Sequence, residues 1–402
     1  MDDTFESISR RTYGTETEAD HLLKSNPGVQ EPLTAGTEIV APVVPTYPDD
    51  LPSEINAEGD SDVAVLINGK RLRVWESVRI IRGMDLIDTV ELTAPMESKL
   101  PQFKETFKPF SYFPVSVYVA GETLFRGTQT NVVPVITPDE KVVSLSAYSI
   151  CGTMNDCSPS ANVYPIEFNG QGLREIATTL ARPFGIGVQF DADPGPAFDR
   201  VAMSPNASPL SFLIELAKQN GLLITNTKRG DLRFYKPNTG TQPVAILEQG
   251  QPPLPTVRPF FSPQAYYSHI TGIKPVEVGS EGSQVTLKNP HLTGVLRPHT
   301  FVVTDTSDGA VTAAVEAKRG RMYGSMVMYS IDVPTWRDVD GDLWEPGTVI
   351  RLEARDAMIN SSYKFMIKTV ELSRDQDSEQ ATLNLVIPES FTGETPESMP
   401  WD

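Results

Sequence analysis

From residue 63 onward, apolar and polar side chains alternate in short runs, the two-residue period of half-buried β-strands. Val63 to Ile67 leads into Asn68-Gly69, the strongest short hairpin signal, and residues 71–75 resume the alternation beyond it. Further strands are predicted at 78–82, 89–94, 115–119, 123–130 and 142–148, with Ala120-Gly121-Glu122 as a second tight turn. Short antiparallel strands at such close spacing imply a barrel or sandwich.

The period then changes. Leu173, Ile176, Ala177, Leu180, Ala181 and Phe184 recur at three- and four-residue steps, one face of a helix. A second helix is predicted from Ser208-Pro209, an N-cap and first turn, with Leu210, Leu213, Ile214 and Ala217 inward and Gly221 as its left-handed stop. A hairpin follows, with strands at 222–225 and 232–235 around a turn at Lys228-Arg229-Gly230. After the proline-rich join at 251–255 the β pattern returns at 266–272, 284–287, 325–333, 349–353, 365–372 and 381–387, with a helix predicted at 312–319. The fold class is therefore mainly β with α+β parts.

Upstream, Thr4 can cap a helix with Phe5, Ile8 and Tyr13 inward; residues 18–24 read as a second helix ended by Asn26-Pro27-Gly28, and 37–40 as a strand. Residues 45–61 carry prolines and acids and almost no apolar side chains, so they cannot bury enough surface to offset ordering entropy. They read as an extended linker or a strap that orders on a partner.

One order of features occurs twice. Residues 113–149 and 346–388 each run through an apolar strand, a small turn, a long strand, a polar hairpin tip and a closing alternating strand. Duplication of one β module is one reading, and coincidence of β patterns the other.

A chain of 402 residues exceeds one ordinary core, and its 34 prolines and 28 glycines suit turns and short strands better than long helices. The net charge of −18 opposes nonspecific nucleic-acid binding, which draws on lysine and arginine. Residues 1–60 alone hold 13 acidic against three basic side chains. No apolar run approaches a membrane span or a secretory h-region, so membrane insertion is not expected and folding in a cytosol is. Cys151 and Cys157 are too few for a disulfide framework or a zinc site, and reduced thiols are expected over a local disulfide.

Several candidate motifs resolve to structural readings. Asp338-Val339-Asp340-Gly341-Asp342 resembles a calcium loop, but the sixth and twelfth positions hold Leu343 and Val349, so a turn between Trp336 and Trp344 is expected. Arg229-Gly230-Asp231 reads as a hairpin turn rather than an adhesion tripeptide. Gly185-Ile186-Gly187 lacks the third glycine of a dinucleotide site, and Lys318-Arg319-Gly320-Arg321 reads as a solvated loop or a contact with an acidic neighbour. His21, His269, His291 and His299 lie in no nucleophile or metal motif. No catalytic, cofactor-binding or metal residue is assigned, and no cofactor is expected.

The segment AYSICGTMNDCSP and the helix ending in ARPFGI resemble the Mu-like family of contractile-phage baseplate hub proteins. Ser149, Asp156, Cys157, Ser158, Ile176, Ala177, Leu180, Pro183, Phe184, Gly185 and Ile186 fit the family pattern, whereas Ala147 stands where glycine is usual. The run FLIELAKQNGLLIT before GDLRFY, and the acidic turn before Trp344, resemble the same family. The N-terminal segments FESISRRTYG, HLLKSNPG and LTAGTEIVAP resemble a LysM module, whose usual opening strand is here reduced to Met1-Asp2-Asp3. LysM modules bind N-acetylglucosamine polymers; docking of a neighbouring protein is the alternative role, which the acidic charge and the scarcity of aromatics favour.

The resemblances imply a LysM-like βααβ module at 1–44, an acidic linker at 45–61, a first hub β-barrel at 62–150, an α/β domain at 151–250, a second related barrel at 251–390 and a tail at 391–402. They imply a homotrimer in the virion tail baseplate, assembled in the host cytoplasm. Its partners would be the tail tube protein, the central spike protein and wedge proteins met through the LysM-like module and linker, with DNA passing without specific binding. The alternatives are a LysM-guided peptidoglycan-binding or wall-degrading tail protein, and a secretion-machine spike.

Overall fold

A computed structural model describes residues 63–402 apart from 97–100, 140, 275–283 and 304–309, with scattered positions among the first 62. At the N-terminus the predicted cap is present: Thr4 Oγ1 accepts the Ser7 N–H at 3.2 Å, and Ser7 Oγ accepts the Thr4 N–H at 3.0 Å. Phe5, Leu22 and Leu33 form a small buried cluster with Ile8, Ala19 and Val29 against it. Tyr13, His21, most of the strand expected at 37–40 and the linker at 45–61 lie outside the described residues.

The first β module comprises β1 (Val63–Ile67), β2 (Lys70–Leu72), β3 (Ser77–Gly83), β4 (Thr89–Pro95), α1 (Pro101–Thr106), β5 (Pro114–Val119), β6 (Glu122–Ile136) and β7 (Lys141–Ser149). Both predicted tight turns form, with positive φ at Asn68 and Gly69 and again at Ala120 and Gly121. Strand β6 continues past its expected end at Thr130 through Val132-Val133-Pro134-Val135-Ile136. Proline lacks a ladder donor, but Pro134 pairs with Val143 of β7 at a position whose nitrogen can face away from that neighbour.

The α/β unit holds α2 (Thr153–Asp156), β8 (Glu167–Gln171), α3 (Leu173–Ala181), β9 (Val188–Phe190), β10 (Phe198–Ala202), α4 (Pro209–Gln219), β11 (Leu223–Asn226) and β12 (Leu232–Tyr235). Its helices follow the apolar periodicity: Leu173, Ile176, Ala177, Leu180 and Ala181 are buried on α3, and Leu210, Leu213 and Ala217 on α4. Ser208 caps α4 by accepting the Ser211 N–H at 3.2 Å, and Gly221 takes the left-handed φ of 66° after its end.

The second β module comprises β13 (Ala245–Glu248), β14 (Thr256–Phe261), β15 (His269–Ile273), β16 (Gln284–Lys288), β17 (Pro298–Val302), α5 (Ala310–Met326), β18 (Val327–Val333), β19 (Val349–Ala354), β20 (Ile359–Asp375) and β21 (Glu379–Val386). Strands β16-β15-β17 form a separate three-stranded sheet inserted, with α5, between β14 and β18. The basic run at 318–321 lies on α5 and is not a loop. Arg319 Nη2 donates to the Gly393 carbonyl at 2.8 Å and Arg321 Nη2 to the Lys218 carbonyl at 2.7 Å. Gly320 permits this packing, since a Cβ there would come within 2.9 Å of Gly393 backbone. The tail at 391–402 lies over the same module, with Tyr363 donating to the Ser398 carbonyl at 2.8 Å and the rings of Trp401 and Phe261 edge to face at 5.8 Å.

The two β modules share a strand order. The first runs β3-β4-β7-β6-β5-β1 and the second β14-β18-β21-β20-β19-β13, with every pair antiparallel except β13 with β19. Register agrees as well: Val132↔Leu145 and Val133↔Ser144 in the first are matched by Val370↔Leu383 and Glu371↔Thr382 in the second. Each long strand shifts register once against the strand before it and once against the strand after. The modules also join edge to edge, because residues 369–375 of β20 pair with residues 77–83 of β3, making one 13-stranded sheet.

Candidate functional site

The joint between β3 and β20 continues into a buried charged junction. On β3 the alternation Val78, Ile80, Arg82 turns the arginine inward, and Asp88, two residues before Val90, is likewise buried. Arg82 Nη2 donates to Glu345 Oε2 at 2.9 Å and its Nε to Asp88 Oδ2 at 3.4 Å. Asn226 at the end of β11 clamps Asp88 from the other side, accepting its N–H at 2.7 Å and donating Nδ2 to its carboxylate at 3.1 Å. Lys228 lies 3.5 Å from Glu345.

Neighbouring hydrogen bonds extend the clamp. Thr225 Oγ1 lies 3.0 Å from the carbonyls of Gly83 and Leu86, and Tyr235 donates its hydroxyl to Met84 O at 2.9 Å. Three units thus meet at one point: Arg82 and Asp88 from the first β module, Asn226 and Thr225 from the α/β unit, and Glu345 from the second β module. Buried polar groups of this kind require particular partners in particular directions, so they orient what they join.

Burial pushes the Asp88 carboxyl up to about 6, with Arg82 and the Asn226 hydrogen bond pulling against it. Burial also works against the charge on Glu345, but Arg82 and Lys228 outweigh it and hold that carboxyl below its usual value. The difference follows from geometry, since Glu345 has the shorter bond to the guanidinium and a second cation. The folded state therefore keeps a proton on Asp88 at a pH where the unfolded chain, with an ordinary carboxylate, has lost it. Stability from this group is fully present below about pH 4 and is lost as pH rises through about 6. Asp88→Asn, uncharged throughout, is expected to fall less steeply in melting temperature than the wild type between these values. Superimposable pH profiles of the two proteins would contradict this.

A cleft of about 300 Å³ borders the junction, lined in part by Lys228, Glu345, Asp338, Asp342 and Trp344. Four of its charged side chains, Lys228, Glu345, Arg337 and Asp338, have partners within the protein. Asp338 Oδ1 accepts the N–H groups of Asp340 and Asp342, both at 3.0 Å, and Trp344 N–H donates to Trp336 O at 3.0 Å, which closes the expected turn. No group of three or more histidine, cysteine or acidic side chains among the described residues is placed to hold a metal.

The other candidates are dispersed. His269 Nδ1 lies 2.9 Å from Ser268 Oγ, which also accepts the Arg297 N–H; His291 Nε2 bonds Pro396 O at 2.8 Å; His299 stacks on Tyr267 at 4.6 Å. Arg229-Gly230-Asp231 forms the β11–β12 turn, where Gly230 has φ 95° and Asp231 Oδ1 accepts the Gly187 N–H at 3.2 Å. Gly185 is the left-handed stop after a short helical turn at Arg182–Phe184. Both cysteines are free; Cys151 is buried and its thiol is pushed up to about 12 by that burial, whereas Cys157 is exposed.

The described surface also exposes several large apolar side chains. Phe110 and Tyr112 are 87% and 61% exposed and both hold a positive φ, an uncommon backbone for aromatic residues. Val133, Val135 and Ile136 of β6 and Phe260 and Phe261 of β14 are exposed as well. No described helix is long and apolar enough to cross a membrane.

Comparison with known proteins accords with this architecture. Residues 151–236, the α/β unit, match the family described as baseplate hub protein gp44-like, second domain. The α/β unit is thus similar to the second domain of hub proteins. Over 275 residues, 64% of this chain and 70% of the relative, it is 22% identical to baseplate hub protein gp44 of Escherichia phage Mu. The 43 kDa tail protein of prophage MuSo2 from Shewanella oneidensis shares the fold at TM-score 0.69 and 23% identity, over 82% of this chain and 99% of that one. The tail protein of Neisseria meningitidis MC58 does so at TM-score 0.70 and 20% identity, over 82% and 98%. The chain therefore shares its fold with these tail proteins, and its three units meet at the Arg82 junction, a locus that none of the sequence motifs had marked.

Proposed function

We propose that this protein is the central hub of a contractile phage tail baseplate, a homotrimer without enzymatic activity that adapts the sixfold tail tube to the threefold central spike. The carrying observation is the pair of β modules with one strand order and one register, already joined in a single sheet. Three chains would set six equivalent modules around a closed ring, one per tube subunit. The tube would meet one face of that ring and the spike the other.

The acidic balance of the chain suits a passage through which DNA moves without adhering. The N-terminal region, the most acidic stretch, would dock wedge proteins through its LysM-like module and linker. The units of this hub are the β module before residue 150, the α/β unit, and a second β module that takes in β13 through its pairing with β19. Sedimentation of the purified chain at assembly-like concentration is expected to give three times its 44.1 kDa mass. A stable monomer under those conditions would overturn the trimeric hub.

A further inference from the structure

We propose that the edge of β14 in one chain pairs with the second half of β6 in a second copy, repeating between chains the joint that β3 and β20 make within one. This rests on the hub reading above and deepens it, by naming the strands that close the ring.

The argument starts from register. In the joint inside the chain, Val370, Leu372 and Arg374 of β20 face Arg82, Ile80 and Val78 of β3. The matched hairpin tips, Ile136↔Lys141 and Arg374↔Glu379, place Val132, Pro134 and Ile136 of β6 at the positions of Val370, Leu372 and Arg374. The ladders to β4 and β18 likewise place Val257, Pro259 and Phe261 of β14 at the positions of Val78, Ile80 and Arg82. One half of the repeat is thus joined, and among the described residues the other half has no strand against it.

Composition fits the missing partner. All six positions just named on β6 and β14 are apolar, where the joint inside the chain buries Val78, Ile80, Val370 and Leu372 completely or nearly so. Ile136 is 63% exposed. On the opposite face Val133 and Val135 of β6 would meet Phe260 and Arg258 of β14, the counterparts of Ile81 and Arg79. A run of exposed apolar residues on a long edge strand invites a partner strand.

The prolines select which partner. Ser262 N–H donates to Met326 O at 2.7 Å, so alternation turns the nitrogens of Phe260 and Arg258 toward β18 and that of Pro259 to the open edge. The repeat places Pro134 opposite Pro259, so neither strand offers an N–H at that step and the flanking pairs Val132–Phe261 and Ile136–Val257 carry the ladder. A strand in any other register would meet a missing donor with an unmatched group. Both edges are thereby poor templates for arbitrary strands and fit one another.

The test uses the full-length chain with Cys157→Ser, which removes the exposed thiol. Val133→Cys and Phe260→Cys stand directly opposite in the proposed pairing, at a step without ladder hydrogen bonds, where side chains are closest and a disulfide can form. Mild oxidation is expected to link chains into covalent species that end at three, reversibly under dithiothreitol. Mixing a Val133→Cys chain with a Phe260→Cys chain should give linked pairs and nothing larger. The shifted pair Val135→Cys with Phe260→Cys should link about tenfold more slowly. A trimer by mass whose Val133→Cys, Phe260→Cys form stays unlinked, links within one chain, or links no faster than the shifted pair would overturn this pairing and leave the trimeric hub standing. A monomer that never links would overturn both.

Discussion

Replacing Arg82 with methionine is expected to destabilise the protein by about 3–5 kcal/mol, the range for removing one partner of a buried ion pair. Methionine keeps the stem volume, so the loss comes from electrostatics and not from a cavity. Asp88 would be left buried with Asn226 as its remaining side-chain partner, and Glu345 would keep only Lys228 at 3.5 Å. The measurement is a urea titration, in which the midpoint should fall while the slope stays near that of the wild type. The double change Arg82→Met with Asp88→Asn should recover part of the loss, because the uncompensated carboxylate is gone. A single variant that melts with the wild type would show that the junction orients the units without stabilising them.

Trp336→Ala should cost about as much, roughly 3–5 kcal/mol, by the cavity left when a buried aromatic is truncated. Trp336 is buried between the β18–β19 connection and the β20–β21 hairpin, and its indole N–H bridges Ser373 O at 3.0 Å and Gln380 O at 3.1 Å. Its own backbone N–H donates to Glu379 at 3.0 Å. Truncation therefore empties core volume and leaves two carbonyls short of a donor near the tip of the β20–β21 hairpin. Trp336→Phe separates these contributions, since it keeps most of the packing and loses the indole hydrogen bonds, for an expected cost of about 1–3 kcal/mol. Equal midpoints for the alanine and phenylalanine variants would place the stabilisation in the hydrogen bonds alone.

Strands β13, β14 and β17 were not expected, and β6 and β20 were expected to be shorter; in β6 and β14 the cause is proline, which the two-residue period reads as a strand breaker. Pro134 and Pro259 interrupt the period in this way, yet both sit where the missing N–H faces an edge. The helix α5 was anticipated only in part, since Gly320 and Gly324 interrupt its pattern to let residues 389–393 approach.

The junction was closer to legible. Arg82 continues the inward positions of Val78 and Ile80, and Asp88 precedes those of Val90 and Leu92, so two opposite charges stood on the buried faces of adjacent strands. A charge at an inward position asks for a partner, and that signal was in the alternation itself. What the alternation could not say was that the partners are Glu345, 263 residues away, and Asn226, 138 residues beyond Asp88.

The sequence by itself determined the mainly β class, the Asn68-Gly69 and Ala120-Gly121 turns and both helices of the α/β unit, because each depends on side chains a few positions apart, whereas it left duplication of the β module as one of two readings. Only the tertiary structure decided that β3 pairs with β20, that the charged junction draws on all three units, and that β6 and β14 are left with matching apolar edges. Those outcomes depend on which strand edges come together after the chain has folded back on itself, and edge pairing is made by backbone groups that every residue but proline carries alike.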